Sequence, residues 1–113
     1  MVRNQYVTVC AQDAAELTAL ARTGREIADE TGCMLRVMLL AGWQGQDMDS
    51  AALLEDVFAC AKRMDAEMNV YYTDRPLDRL MKDRSECLVM RSGNGMAGEI
   101  RRRMPGRRLV VLD

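Results

Sequence analysis

The glycine-rich segment Ser92–Gly95 (Ser-Gly-Asn-Gly) is the part of the sequence whose chemistry best suits ligand binding. It follows the apolar run Cys87–Arg91 and precedes the basic segment Met96–Met104, which has helical spacing. A glycine turn between a strand and a helix exposes backbone N–H groups, and the helix N-terminus adds partial positive charge. The pattern therefore indicates an anion-binding turn. The alternative is a tight turn whose glycines only supply positive φ.

Seven residues are candidates for contact with a ligand, because they lie in this turn, next to it, or after the first predicted strand. They are Asp13, Arg91, Ser92, Gly93, Asn94, Gly95 and Gly98. Helix capping also explains Asp13, since Glu16 follows it with capping-box spacing. The Gly-x-Gly pattern alone is weak evidence, because the chain has neither the Rossmann spacing nor a P-loop Gly-Lys-Ser.

The composition argues against several kinds of site. The chain has 113 residues, a formal net charge of −1 and no histidine, so it lacks the commonest general base. Its cysteines are scattered at positions 10, 33, 60 and 87, which argues against a metal site and against disulfides and fits a reducing cytoplasm. No apolar run approaches the roughly 20 residues that span a bilayer. The balanced charge gives no reason to expect a membrane or nucleic acid as partner.

Strand and helix patterns alternate along the chain. Strands are expected at Gln5–Cys10, Met34–Leu40, Glu67–Tyr72, Cys87–Arg91 and Leu109–Leu112. Helices are expected from Asp13 to Glu30, from Asp49 or Ser50 to Met64, from Pro76 to Met81 and over Met96–Met104. Right-handed crossovers then give one α/β domain over residues 1–113, with a doubly wound, parallel sheet of five strands.

The apolar positions predict which residues form the core. The strands lack polar alternation, which is typical of a sheet covered by helices on both faces. The core strand residues are expected to be Val7, Val9, Leu35, Val37, Val89 and Val110. The second helix should bury one face, made of Leu54, Val57, Phe58, Ala61 and Met64. Phe58 should then pack over the sheet together with Ile27.

Most of the chain resembles a universal stress protein domain. The resemblance is carried by Tyr6–Cys10 (YVTVC), Ala21-Arg-x-Gly24 with Ala28, Gly32, Leu54–Ala66, Glu67-Met-x-Val70, and Leu88-Val-Met90 before the Ser/Gly turn. In particular, the chain is similar to the version of this domain in potassium-sensor histidine kinases. The resemblance implies the adenine-nucleotide α-hydrolase-like fold with strand order 3-2-1-4-5, and a role in stress response or signalling. It also implies a homodimer formed through the last strand, by Leu109, Val110, Val111 and Leu112.

The chain departs from the ATP-binding members of that family. In those members, Gly-x-x-Gly ends strand four and a later Gly-Ser or Gly-Thr helps to hold the phosphates. Here Arg91 stands at the first glycine position, the spacing Gly95-Met-Ala-Gly98 is displaced towards the helix, and Glu99 replaces the hydroxyl residue. Because a carboxylate repels a triphosphate, we expect ATP or AMP with Mg²⁺ to bind weakly or not at all.

The predicted function is therefore a small cytoplasmic regulatory or sensing domain without catalysis, acting on a signalling protein partner. One alternative is an adenine-nucleotide-binding member that uses Asp13, Ser92, Gly93 and Gly95. A phospho-receiver is the other, although Arg91 and Gly93 stand where such a domain needs lysine, and only Asp13 and Asp74 match its acids. A basic corner at the C-terminus is predicted to complement a helix dipole, the alternative being that it docks a phosphate, nucleic acid or an acidic partner. It is formed by Arg101, Arg102, Arg103, Arg107 and Arg108.

Overall fold

A computed structural model describes residues 5–11, 14–41, 50–73, 75–92 and 96–112 of the chain. Five strands and four helices alternate in these ranges. They are β1 (Tyr6–Ala11), α1 (Ala14–Thr31), β2 (Met34–Ala41), α2 (Ser50–Arg63), β3 (Glu67–Tyr72), α3 (Pro76–Lys82), β4 (Cys87–Arg91), α4 (Met96–Arg103) and β5 (Arg108–Leu112). Each lies within a residue or two of its predicted position. Among the described helices, none is both long and apolar enough to cross a membrane.

The strands form one parallel sheet in the order β3-β2-β1-β4-β5, as predicted. Val7 of β1 lies opposite Leu35 of β2 on one side and Cys87 of β4 on the other. From β1 the chain proceeds through β2 to the edge strand β3, and from β4 it proceeds to the opposite edge strand β5. The carboxyl ends of these two strands are therefore the point at which an open α/β sheet binds ligands.

Helices cover both faces of the sheet, which gives the predicted three layers. On one face, α1 and α2 pack against alternate strand residues. This cluster includes Val7, Val9, Leu17, Leu20, Ile27, Leu35, Val37, Val57 and Val89, with Val110 packed against it. On the other face, α3 and α4 pack against the intervening residues. That cluster includes Cys10, Met38, Leu40, Leu80, Leu88, Met90, Met96 and Ile100. The alternation follows from the two-residue period of a strand.

Two glycines position α1. A Cβ at Gly24 would overlap the side chain of Val9 and lie 2.9 Å from Leu35 Cδ1, so only glycine allows the helix to approach the sheet this closely. Gly32 has φ of +71° and ends the helix, and the Cys33 N–H donates to the Ala28 carbonyl oxygen at 2.9 Å. This is the expected glycine end of a helix.

The predicted burial of Phe58 is wrong, because 59% of this residue is exposed. The residues of α2 that face the sheet are Val57, Cys60 and Ala61, which are all buried. Successive helix residues are turned by about 100°, so the ring of Phe58 points away from a stripe centred between Val57 and Cys60. The small side chains of Cys60 and Ala61 let α2 lie close to its neighbours.

A buried ion-pair cluster lies at the amino edge of the sheet, around the segment that connects α3 to β4. Asp83, whose side chain is 2% exposed, precedes β4. Its carboxylate accepts from Arg107 at 2.8 Å, from Arg36 at 3.1 Å and from the hydroxyl of Ser85. Arg107 also donates to the Ser85 hydroxyl oxygen at 2.7 Å and to the backbone carbonyl of Asp83. Arg36 further stacks on Tyr6, with 3.9 Å from its Cζ to the ring centroid.

The cluster corrects the prediction of an arginine-rich corner. The Arg107 side chain is only 6% exposed and is held by Asp83, so it is a structural residue of the fold. Arg102 and Arg103 form ion pairs with Glu99 within α4. Of the five arginines in the predicted corner, Arg101 and Arg108 alone are exposed without an ion pair to a described residue. The corner is therefore far less basic than its sequence indicates.

Because Phe58 is exposed and its neighbour Val57 is buried, truncating the two side chains should change the free energy of unfolding by different amounts. Phe58→Ala should lower the free energy of unfolding by less than about 1 kcal/mol, since the ring is mostly in water. Val57→Ala should cost about 2–3 kcal/mol, because it removes buried methyl groups and leaves a cavity. Urea denaturation of both variants measures the difference. Equal costs would contradict the observed orientation of α2.

Removing the charge of Asp83 should destabilise the fold strongly, because Arg107 would remain buried without a counter-ion. We expect Asp83→Asn to lower the free energy of unfolding by roughly 3–5 kcal/mol. Asp29→Asn is the matched control, since Asp29 pairs with Arg25 at 2.9 Å but its side chain is 67% exposed. The control should cost less than about 1 kcal/mol. Similar values for both variants in urea denaturation would show that the cluster does not stabilise the protein.

Candidate functional site

The start of the predicted ligand-binding turn lies at the carboxyl edge of the sheet, next to the end of β1. Arg91 ends β4 and is in register with Leu112 of β5. The next residue, Ser92, donates its backbone N–H to the Leu112 carbonyl oxygen at 2.8 Å. Both Arg91 and Ser92 are exposed. The backbone here is thus fixed against β5 while the two side chains face solvent.

The structure brings together only part of the predicted site. Arg91, Ser92 and Gly98 lie in or beside the connection from β4 to α4. The other candidates fall outside the described residues, and their roles stay predictions. They are Asp13, Gly93, Asn94 and Gly95. Asp74, which a phospho-receiver would use, is outside them as well.

Gly98 is an exposed residue in the first turn of α4. A Cβ built there meets no atom within 4 Å in the part of the chain that the structure describes. Packing therefore does not require glycine at this position, although glycine in a helix costs about 1 kcal/mol relative to alanine. The open space next to Gly98 is compatible with a ligand that approaches the backbone closely.

The next residue, Glu99, introduces a negative charge at this end of α4. Its carboxylate forms ion pairs with Arg102 and with Arg103, the latter with 3.3 Å between Nε and Oε2. Only 32% of the Glu99 side chain is exposed, and the buried Met96 and Ile100 anchor the helix on the sheet. The arginines that follow the turn therefore neutralise a carboxylate of their own helix, which makes them less available to a phosphate.

The thiol closest to this edge is unsuited to nucleophilic chemistry. Cys10 is buried near the end of β1, and burial raises its pKa to about 12, with the charges of Asp83 and Glu16 adding to the effect. Burial also raises the pKa of Cys60 and of Cys87. All four cysteines are free and buried. Cys10 is thus a structural cysteine, since the reactive form of cysteine is the thiolate.

A basic groove that the sequence analysis did not identify runs along the outer side of α3. Its floor is formed by Arg36 and Met38 of β2 and Tyr71 of β3, and its wall by side chains of α3 and its flanks. The wall residues are Arg75, Arg79, Lys82 and Arg84. Two adjoining cavities of about 450 and 340 Å³ make up this α3 groove, and they share Tyr71, Arg79 and Lys82.

The sequence held one signal for the α3 groove. Arg75, Arg79 and Lys82 are three or four residues apart, which places them on one side of a helix. Tyr71 precedes that helix at the end of an edge strand. Only the structure shows that Arg79 lies over the ring of Tyr71, with 3.9 Å from its Cζ to the ring centroid. The described residues contain no group of three or more acidic or cysteine side chains that could hold a metal ion.

The order of the strands and the helices on both faces define a class of protein, namely doubly wound α/β domains with a ligand edge between β1 and β4. No protein-family model matches the chain, and no curated protein sequence matches it. Solved structures do match.

Three of these solved structures are universal stress proteins. One is from Archaeoglobus fulgidus, with a TM-score of 0.65 and 12% identity over 96% of this chain and 93% of that one. The universal stress protein from Archaeoglobus fulgidus in complex with dAMP has a TM-score of 0.61 and 13% identity over 100% of both chains. A universal stress protein in complex with cAMP has a TM-score of 0.64 and 14% identity over 98% of both.

The chain therefore has the universal stress protein fold, as the sequence resemblance implied. At this level of identity the match concerns the fold, and the similar structures with dAMP and cAMP describe those proteins.

Proposed function

We propose that the chain is a non-catalytic regulatory or sensing domain of the universal stress type, in which ATP binding at the turn after β4 is weak or lost. The observation that carries the proposal is the position of Glu99. Its carboxylate lies in the first turn of α4 and already pairs with two arginines of that helix. A phosphate at the turn would meet this negative charge, and would have to compete with it for cations.

Two features of the side chains support a non-catalytic role: the sequence lacks histidine, and the cysteine thiols are buried. The sequence has no histidine to act as a general base. All four cysteines are buried, and burial raises the pKa of Cys10, Cys60 and Cys87, so these thiols are poor nucleophiles. Their free state also supports a reducing cytoplasm as the location. We also propose that the domain regulates a signalling protein, as the resemblance to the domain in potassium-sensor histidine kinases implies.

A second candidate function is favoured by the solved structures that contain dAMP and cAMP. In this alternative the turn binds an adenine nucleotide through Asp13, Ser92, Gly93 and Gly95. The open space next to Gly98 supports it, because a phosphate could approach the α4 backbone there. Affinity for ATP distinguishes the two candidates.

Titration calorimetry with ATP and Mg²⁺ at physiological salt should give a dissociation constant of about a millimolar or weaker, near −4 kcal/mol. Glu99→Ser should tighten binding, because it removes the carboxylate and frees Arg102 and Arg103. Glu86→Ser is the matched control, since Glu86 is an exposed carboxylate at the opposite edge of the sheet. Micromolar binding by the wild type, weakened by Ser92→Ala, would contradict the proposal and establish the nucleotide-binding alternative.

The proposed homodimer uses β5, which lies at one edge of the sheet. Leu109, Val110, Val111 and Leu112 are all half-buried within the single chain. An apolar edge strand leaves backbone N–H and C=O groups unpaired, and it favours pairing with a second copy. In the sequence, the charged residues Arg108 and Asp113 bracket these four residues, and we propose that they fix the register of that pairing.

The dimer predicts that sedimentation velocity at tens of micromolar protein gives a dimeric species. Val111→Lys should convert it to a monomer, because a lysine would be placed in an apolar interface. Asn69→Lys, on the edge strand β3 at the other side of the sheet, should leave the dimer intact. A monomeric wild-type protein, or a dimer that only Asn69→Lys disrupts, would contradict the use of β5.

A further inference from the structure

We propose that the α3 groove is a binding site for an oligophosphate group, separate from the turn after β4. This goes beyond the proposed function, which concerns the turn alone. The groove lies on the face of the sheet that carries α3 and α4, beside the edge strand β3. Its two adjoining cavities, of about 450 and 340 Å³, are each in the size range of small-ligand sites.

Arg79 is the residue best placed to recognise an anion. Its guanidinium is half-buried and stacked on Tyr71, with 3.9 Å between Cζ and the ring centroid. The stack fixes the guanidinium plane but uses none of its in-plane N–H donors. Arg79 makes neither an ion pair nor a hydrogen bond within the part of the chain that the structure describes. A fixed guanidinium with unpaired donors is suited to bidentate contact with a phosphate.

Two more cations of the groove have no carboxylate partner. Lys82 and Arg84 are exposed, and neither forms an ion pair with a described residue. The acidic residues beside them offer little compensation. Asp83 is already occupied by Arg36 and Arg107, and Asp78 makes a loose pair with Arg75 at 3.8 Å. Within the described residues, the groove thus has three positive charges that form no ion pair.

The number and spread of these charges indicate the class of ligand. The groove wall follows α3, whose seven residues extend over about 10 Å. A single carboxylate would neutralise only one of the cations along it. A chain of two or three phosphate groups carries several negative charges over a comparable length, and each phosphate can accept charge-assisted hydrogen bonds. An oligophosphate therefore matches both the charge and the extent of the groove.

The charge distribution along the chain supports the same conclusion. Residues 1–73 contain six basic and eleven acidic side chains, whereas residues 74–113 contain ten basic and six acidic ones. The second part supplies α3 and α4, so both helices on the face with the groove come from the net-positive part of a chain whose overall net charge is −1. Such a field attracts a polyanion to this face.

The test is titration calorimetry with tripolyphosphate, without Mg²⁺ and at low salt. We expect saturable binding by the wild type in the range of tenths of a millimolar, weakened by added salt because the groove is open to solvent. Arg79→Gln should weaken binding by about tenfold, the effect of losing one charge-assisted contact. Arg22→Gln, which removes an exposed cation from α1 on the other face, should change affinity less than about twofold. Lys82→Gln, which removes a second cation from the groove, should also weaken the binding of tripolyphosphate.

Circular dichroism and thermal unfolding of each variant verify that it is folded before its affinity is interpreted. An absence of saturable binding by the folded wild type would overturn the proposal. So would equal effects of Arg79→Gln and Arg22→Gln, because binding would then depend on overall charge. Loss of binding in the two groove variants, with Arg22→Gln unchanged, would support it.

Parallel titrations with Mg²⁺-free ATP show whether the groove prefers an inorganic oligophosphate or one carried on a nucleotide. The affinities of ATP and tripolyphosphate are compared, because only ATP has a base and a sugar. The two sites also respond to different substitutions. Failure of the groove leaves tripolyphosphate either unbound or bound with an affinity that Arg79→Gln and Lys82→Gln do not change. Failure of the proposed function appears as tight binding of ATP with Mg²⁺ that Ser92→Ala weakens and Arg79→Gln leaves unchanged.

Discussion

The buried carboxylate of Asp83 is the interaction on which the second half of the structure depends. It connects the segment before β4 to Arg107, before β5, and to Arg36 in β2. Removing these charges from water is costly, and the Nε atoms of both arginines remain without a hydrogen-bond partner among the described residues. The shared carboxylate offsets that cost. Because Asp83 is also the C-cap of α3, the same contact fixes the end of the helix that forms the groove wall.

The two edges of the sheet consequently have different physical roles. At the amino edge, charges are buried, paired and surrounded by several elements. At the carboxyl edge, Arg91 and Ser92 are exposed, and their fixed contact is the backbone hydrogen bond to Leu112. Glu99 lies in the first turn of α4, beyond this edge, and pairs with Arg102 and Arg103 of its own helix. Its charge is therefore accommodated within α4 and does not depend on the residues that end β4.

The sequence predicted the fold in detail because its signals were local. Gly24 and Gly32 mark a close helix–sheet approach and a helix end, and both functions depend on backbone geometry at one residue. Phe58 was predicted wrongly because helical spacing defines a stripe only to within about one residue in angle. The burial of Arg107 could not be predicted, since its partner Asp83 is 24 positions away and the charges of both suggested a solvated surface.

The same distinction between local and distant contacts explains which part of the candidate site the sequence could predict. A glycine turn after a strand is a local pattern, and the elements on either side of it, β4 and α4, lie where the sequence predicted them. The α3 groove requires Tyr71 and Arg79 to meet across the connection from β3 to α3, and it requires Asp83 to be occupied by arginines from other segments. Because Asp83 is occupied in this way, it forms no ion pair with Arg79 or Lys82 of α3, although it follows that helix directly. The buried ion pairs that stabilise the amino edge thus also affect the charge balance of the groove.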